Sequence, residues 1–149
     1  MRKTISMYLV ASAAAMAFAA CGGGEGSEGS ATMRPGDNCL ACHSSGGAAS
    51  EKAFTAAGTV YASPDAPSDA GIEGALVVLT DANGKVLTLT SNSVGNFYTS
   101  ESLAFPLRAE VRDGNSVQRM PIAITNGGCS SCHNQPPASG APGRLFVAP

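Results

Sequence analysis

The sequence predicts a mainly-β protein: a β-sandwich over residues 56–124, flanked by two irregular, partly helical segments at 33–55 and 125–149. Three observations predict it. Between 56 and 124, short runs of β-branched and apolar residues are separated by Gly, Asn, Asp and Pro, which is the pattern of an antiparallel sandwich. In Leu107-Arg108-Ala109-Glu110-Val111-Arg112 apolar and charged residues alternate strictly, so Leu107, Ala109 and Val111 face a core and the three charges face water. The flanking segments are rich in Gly, Ser, Ala and Pro and carry neither a helical nor a strand period.

Residues 1–20 stand apart from the fold. Met1-Arg2-Lys3 is a basic start, and the apolar run over 5–17 is too short to span a bilayer with margin, so this segment is expected to be an export signal. It ends in Phe18-Ala19-Ala20-Cys21, which resembles the bacterial lipobox, in which small residues precede a cysteine that is acylated and becomes the new N-terminus. The alternative is ordinary cleavage nearby, with Cys21 left as a stray thiol. Gly22 rather than Asp follows Cys21, and resemblance to the lipoprotein sorting rule then favours, as an expectation, the outer membrane of a Gram-negative envelope, facing the periplasm or the cell surface. From 21 to 32 the chain offers no large apolar residue before Met33 and is expected to act as a flexible tether.

In the segment 33–55, Asp37 and Asn38 are expected to cap a short helix that 44–53 extends. Strands are expected at 58–63, 74–81, 85–91, 95–100, 106–113 and 116–124. Asp81-Ala82-Asn83-Gly84 and Asp113-Gly114-Asn115 read as hairpin turns, because Asn and Gly tolerate the positive φ such turns demand. In the segment 125–149, a Pro-, Gly- and Ala-rich coil follows, and Arg144-Leu145-Phe146-Val147 is expected as a short edge strand or a flap.

Gly58-Thr59-Val60, Gly74-Ala75-Leu76-Val77-Val78-Leu79, Gly84, Ser93-Val94-Gly95-Asn96-Phe97 and Leu107-Arg108-Ala109-Glu110-Val111 together resemble an immunoglobulin/transthyretin-like sandwich of the carboxypeptidase-regulatory-like kind. The likeness covers about half the chain. It implies a binding or spacer module without catalytic residues, and it brings no ligand motif that could be carried over.

The chemistry lies outside the sandwich. Cys39-Leu40-Ala41-Cys42-His43 recurs ninety positions later as Cys129-Ser130-Ser131-Cys132-His133. In C-x-x-C-H, two thiols reach the two vinyl groups of one porphyrin and the adjoining imidazole sits beneath the iron, so each motif is expected to carry one covalently attached haem c. Four of the five cysteines and both histidines lie in these motifs, so the chain spends these residue types on one purpose. Plain disulfides, or a zinc site built from the two Cys pairs, are the alternatives, and neither requires a His directly after each second Cys. With the lipobox, the whole resembles a small exported dihaem c-type cytochrome lipoprotein.

With His43 and His133 taken as proximal ligands, bis-histidine ligation within the chain is excluded. Met33 and Met120 are the methionines beyond the export signal and are the candidate sixth ligands, since Met opposite His raises haem potential in electron carriers. Met120 shares strand parity with Ile122 and Ile124, which equally makes it a core residue. Lys52, Lys85, water or an open site are the other options. Arg34 and Arg144 are candidates to pair with haem propionates.

From Cys21 onward the charge is −4, nine Lys and Arg less Arg2 and Lys3 against eleven acids. That balance argues against nucleic acid or an anionic membrane surface as partner. The expected function is electron transfer with redox proteins of the cell envelope. A haem enzyme or gas-binding protein with an open iron, and a non-haem structural β-module, are the competing classes. No catalytic residue set is legible.

Overall fold

A computed structural model describes residues 29–147. The expected export signal, Cys21, most of the expected tether and the last two residues lie outside the described residues. Among the described residues no helix is long and apolar enough to cross a membrane.

The fold is mainly β, with two antiparallel sheets that share one core. Strands β1 (Ala56–Thr59) and β4 (Asn96–Thr99) form a pair, and β2 (Leu76–Thr80), β3 (Val86–Thr90), β5 (Arg108–Asp113) and β6 (Ser116–Arg119) form a sheet in the order β3-β2-β5-β6. The register explains the core. Val77 lies between Leu89 and Val111, and Leu79 between Leu87 and Ala109. Two cross-strand rows therefore run across one sheet face, two residues apart as the pleat requires. Val77, Leu79 and Val111 are buried, and they meet Ala56, Val60 and Phe97 from β1, its continuation and β4, with Leu103, Leu107 and Val147 closing the edges. On the opposite face Glu110 is held between Arg112 and Arg119, so the alternation of 107–112 appears as expected.

The turns are set by single residues. The Asp81 carboxylate accepts the backbone N–H of Asn83 and Lys85 at 2.9 Å each on one oxygen and that of Ala104 at 3.0 Å on the other. Those bonds close the β2–β3 hairpin and tie it to the loop between β4 and β5, while Gly84 takes φ +83°. Gly114 takes φ +54° in the two-residue turn between Asp113 and its partner Ser116.

Several expectations are corrected. The first strand is Ala56–Thr59 rather than 58–63: Tyr61 leaves the pair to bridge Gly71 and Phe146. The last strand ends at Arg119, because Pro121 has no N–H to continue the ladder. Ile122 is then 63% exposed, so the parity that would have put Met120 in the core does not operate; Met120 is half-buried and outside the core cluster. Asn38 precedes a three-residue 3₁₀ turn, Cys39–Ala41, without a side-chain cap bond, and Asp37 faces Arg34 instead. In place of a helix over 44–53 there is only the 3₁₀ turn Ser50–Lys52, since Gly46 and Gly47 interrupt any helical run. The end of the expected tether is tied down, with Asn92 Nδ2 donating to the Ala31 carbonyl at 2.6 Å. Phe146 pairs beside Tyr61 as an edge, with Val147 N–H donating to the Tyr61 carbonyl at 3.1 Å.

Candidate functional site: two repeated C-x-x-C-H turns

The two motifs fold alike. Each opens as a 3₁₀ turn, Cys39–Ala41 and Cys129–Ser131, and each is closed by a histidine N–H donating to the first cysteine's carbonyl, His43 to Cys39 at 2.8 Å and His133 to Cys129 at 3.0 Å. The second cysteine ends each turn in right-handed helical geometry, and its carbonyl accepts a later amide, Ala49 or Ala138, at 3.0 Å. The repetition reaches the histidine rings. His43 Nδ1 bonds the Lys52 carbonyl at 2.9 Å, nine residues on, and His133 Nδ1 bonds the Gly143 carbonyl at 3.1 Å, ten residues on. A carbonyl can only accept, so Nδ1 carries a proton at both rings, and in the neutral imidazole the lone pair is then on Nε2. His133 Nε2 is buried without a hydrogen-bond partner, and a neutral imidazole with Nδ1–H on a carbonyl is the usual state of a metal-ligating histidine.

β1 brings the motifs together. Ala57 N–H donates to the Gly127 carbonyl at 2.9 Å and Ala57 bridges Gly128. Gly58 has no side chain in the way, and a Cβ there would lie 2.9 Å from Cys129 Cβ and from the Phe97 ring. A Cβ on Gly128 would lie 3.1 Å from Asn38 Oδ1 and 3.7 Å from Leu40 Cβ, so the second motif abuts β1 at Gly58 and the first motif's segment at Gly128. Burial pushes the Cys129 thiol up to about 12, with the neighbouring Cys39 adding to the shift, and burial likewise raises Cys39. Cys39, Cys129 and Cys132 are free thiols; Cys42 is disulfide-bonded, and a thioether at that position starts from the reduced sulfur.

The remaining expected site residues scatter. Met33 is half-buried and its carbonyl accepts from Asn96 Nδ2 at 2.9 Å, while Met120 N–H donates to the Ala109 carbonyl at 2.9 Å. Lys85 Nζ is engaged by Glu101 at 2.8 Å. Arg34 is exposed beside Asp37, whereas Arg144 is buried over the Tyr61 ring. Two features were not legible in the sequence. His43 stacks on Phe54 at 4.4 Å and Phe54 on Tyr98 at 4.7 Å, a three-ring pile that orients the first histidine. The buried Ser130 hydroxyl inside the second motif and the buried amide oxygen of Asn134 after it are the other.

The chain matches no protein-family model, no curated protein and no solved structure.

Proposed function

We propose that the chain is an electron-transfer protein of the bacterial envelope with two covalent c-type haems, one on Cys39, Cys42 and His43 and one on Cys129, Cys132 and His133, anchored by lipid on Cys21. The observation that carries this reading is one local geometry built twice: the same turn, the same His-to-Cys backbone bond and the same Nδ1-to-carbonyl bond at both motifs. The buried, unpartnered Nε2 of His133 fits an iron ligand. A haem held in this way supplies one-electron exchange at its iron.

The chain's own residues do the rest. The carbonyls of Lys52 and Gly143 hold the Nδ1 proton and so fix each tautomer and ring plane; the Phe54 and Tyr98 rings brace His43. The contact of Gly128 with Asn38 and Leu40 keeps the two motifs adjacent, which suits exchange between two centres. Redox proteins of the envelope are the partners.

The test is a pyridine haemochrome measurement on purified protein, which is expected to give two haems per chain. Replacing Cys129 and Cys132 together with serine is expected to leave one. A chain with no haem, or a double variant that keeps two, overturns the reading.

A further inference from the structure

A cavity of about 220 Å³ lies between the two motifs, lined by Gly36, Asp37 and Asn38 from before the first, Ser130 and Asn134 from the second, and Arg144. This exceeds many times the ~10–15 Å³ that one water needs. Arg144 is only 8% exposed, and a guanidinium removed from water is costly unless a counter-charge or a full set of acceptors meets it. Its Nε donates to the Ala66 carbonyl at 2.8 Å, and its Cζ lies 4.7 Å over the Tyr61 ring. Neither neighbour is an anion, and among the described residues no carboxylate pairs with Arg144, whose terminal N–H groups make no bond to a protein acceptor there and keep contact with solvent. Asp37 is on the rim, exposed, and faces Arg34 at 3.9 Å.

Two further groups point the same way. Ser130 Oγ and Asn134 Oδ1 are buried without a partner. Asn134 also lines the cavity, and beside its buried oxygen its carboxamide carries an N–H₂ group that can donate. A forked cation, a hydroxyl and a carboxamide around one cavity are the donor set of a carboxylate or oxyanion. Gly36 shapes the cavity, since at φ +86° a Cβ would overlap Arg144 Nη1 and lie 2.6 Å from Tyr61 Oη.

We propose that this cavity is a binding site for a small oxyanion, with Arg144 as its cation and Ser130 and Asn134 as its neutral donors. The ligand chemistry is that of a carboxylate or phosphate-like group, supplied either by a free anion or by a haem propionate. The free-anion source stands on these residues alone; the propionate source rests on the function proposed above.

The test uses the full chain as isolated, after its haem content is measured. Sodium phosphate is titrated against sodium chloride at constant ionic strength, with the thermal midpoint and the amide resonances of Ser130 and Asn134 as readouts. A free-anion site gives a saturable rise in midpoint together with shifts at both amides. Arg144→Gln abolishes the response, and Ser130→Ala weakens it several-fold. If Arg144→Gln does not fold, Arg144→Lys keeps the charge without the fork and is expected to weaken binding without removing it. A propionate source instead gives no phosphate response in the wild type, and Arg144→Gln or Arg144→Lys moves the propionate carboxyl bands of the redox difference infrared spectrum. The proposal is overturned if phosphate has no effect and those bands stay in place. A chain isolated without haem sinks the electron-transfer reading and closes the propionate arm, and the phosphate titration then decides the site by itself.

Discussion

His133 Nδ1 donates to the Gly143 carbonyl at 3.1 Å while its Nε2 stays buried and unpartnered. The pair fixes a tautomer, because a carbonyl accepts and cannot donate. Two-bond proton–nitrogen correlation on the haem-free chain at neutral pH is therefore expected to show His133 with the proton on Nδ1 and a bare Nε2. His43, bonded to the Lys52 carbonyl at 2.9 Å, is expected to do the same. The opposite tautomer at either ring would remove the geometric basis for iron ligation there.

Gly143 bears on the same bond. It sits at φ +136°, and a Cβ would overlap the Pro64 carbonyl, so Gly143→Ala must displace the segment whose carbonyl orients His133. The expected cost is more than about 1 kcal/mol, the scale of a left-handed strain that a side chain cannot relieve. The diagnostic outcome is local. If the two haems proposed above are present, the second haem's reduction potential is expected to move and the first haem's to stay, whereas an unspecific loss of stability would move both or neither.

The motifs and the sandwich were legible for the same reason: each is written in near neighbours. C-x-x-C-H needs only five consecutive residues, and the inward row of Leu107, Ala109 and Val111 needs only the two-residue period of a strand. The features that a local pattern does not carry depend on distant partners. Whether Tyr61 continues a strand or bridges Gly71 and Phe146 is decided by residues up to 85 positions away. The parity of Met120 with Ile122 holds only while the strand continues, and Pro121 stops it. The Arg144 cavity joins residues 36, 130 and 144, a juxtaposition that no local pattern encodes. The near contact of the two motifs was foreseeable only as a condition on the sandwich bringing its ends together, and the Ala57 bridge to Gly128 meets that condition.

Asp81 predicts an acid limb in stability. The N–H of Ala104 first, then those of Lys85 and Asn83, hold its carboxyl below the ordinary value. A depressed folded value means the stabilisation is fully present above the unfolded value of about 3.9 and is lost as pH falls through the folded value. Thermal midpoints are expected to drop on acidification below about pH 4. Asp81→Asn should have a lower midpoint at pH 7 and a shallower acid limb. Glu110, lowered by Arg112 and then Arg119, keeps part of the limb in that variant. An unchanged limb would mean that the hairpin carboxylate does not couple to folding.

Cys21 tests the anchor independently of the haems. If Cys21 carries the anchor as proposed, Cys21→Ser is expected to move the protein from the membrane fraction to the soluble fraction with its haem content unchanged, since the acyl chains would then be lost with one residue. Persistent membrane association after the substitution would assign retention to an uncleaved signal or to protein partners.

The sixth ligand is the last point at which electron transfer and gas binding separate. A thioether opposite His43 or His133 has two sources beyond residue 21, Met33 and Met120, and neither is committed to the core cluster. Met120 follows β6 and hangs from the Ala109 carbonyl by its backbone, while Met33 is held through its own carbonyl by Asn96. In both cases the backbone bond leaves the side chain outside the hydrogen-bond network. At least one haem is expected to show the weak thioether-to-iron absorption at the red end of the oxidised spectrum, lost in Met33→Ala or in Met120→Ala according to which sulfur ligates. If neither substitution alters that band and carbon monoxide binds both reduced haems readily, the irons are open. An open iron admits small ligands, whereas one saturated by His and Met mainly exchanges electrons, so that result would transfer the assignment from electron carrier to gas-binding or catalytic haem protein.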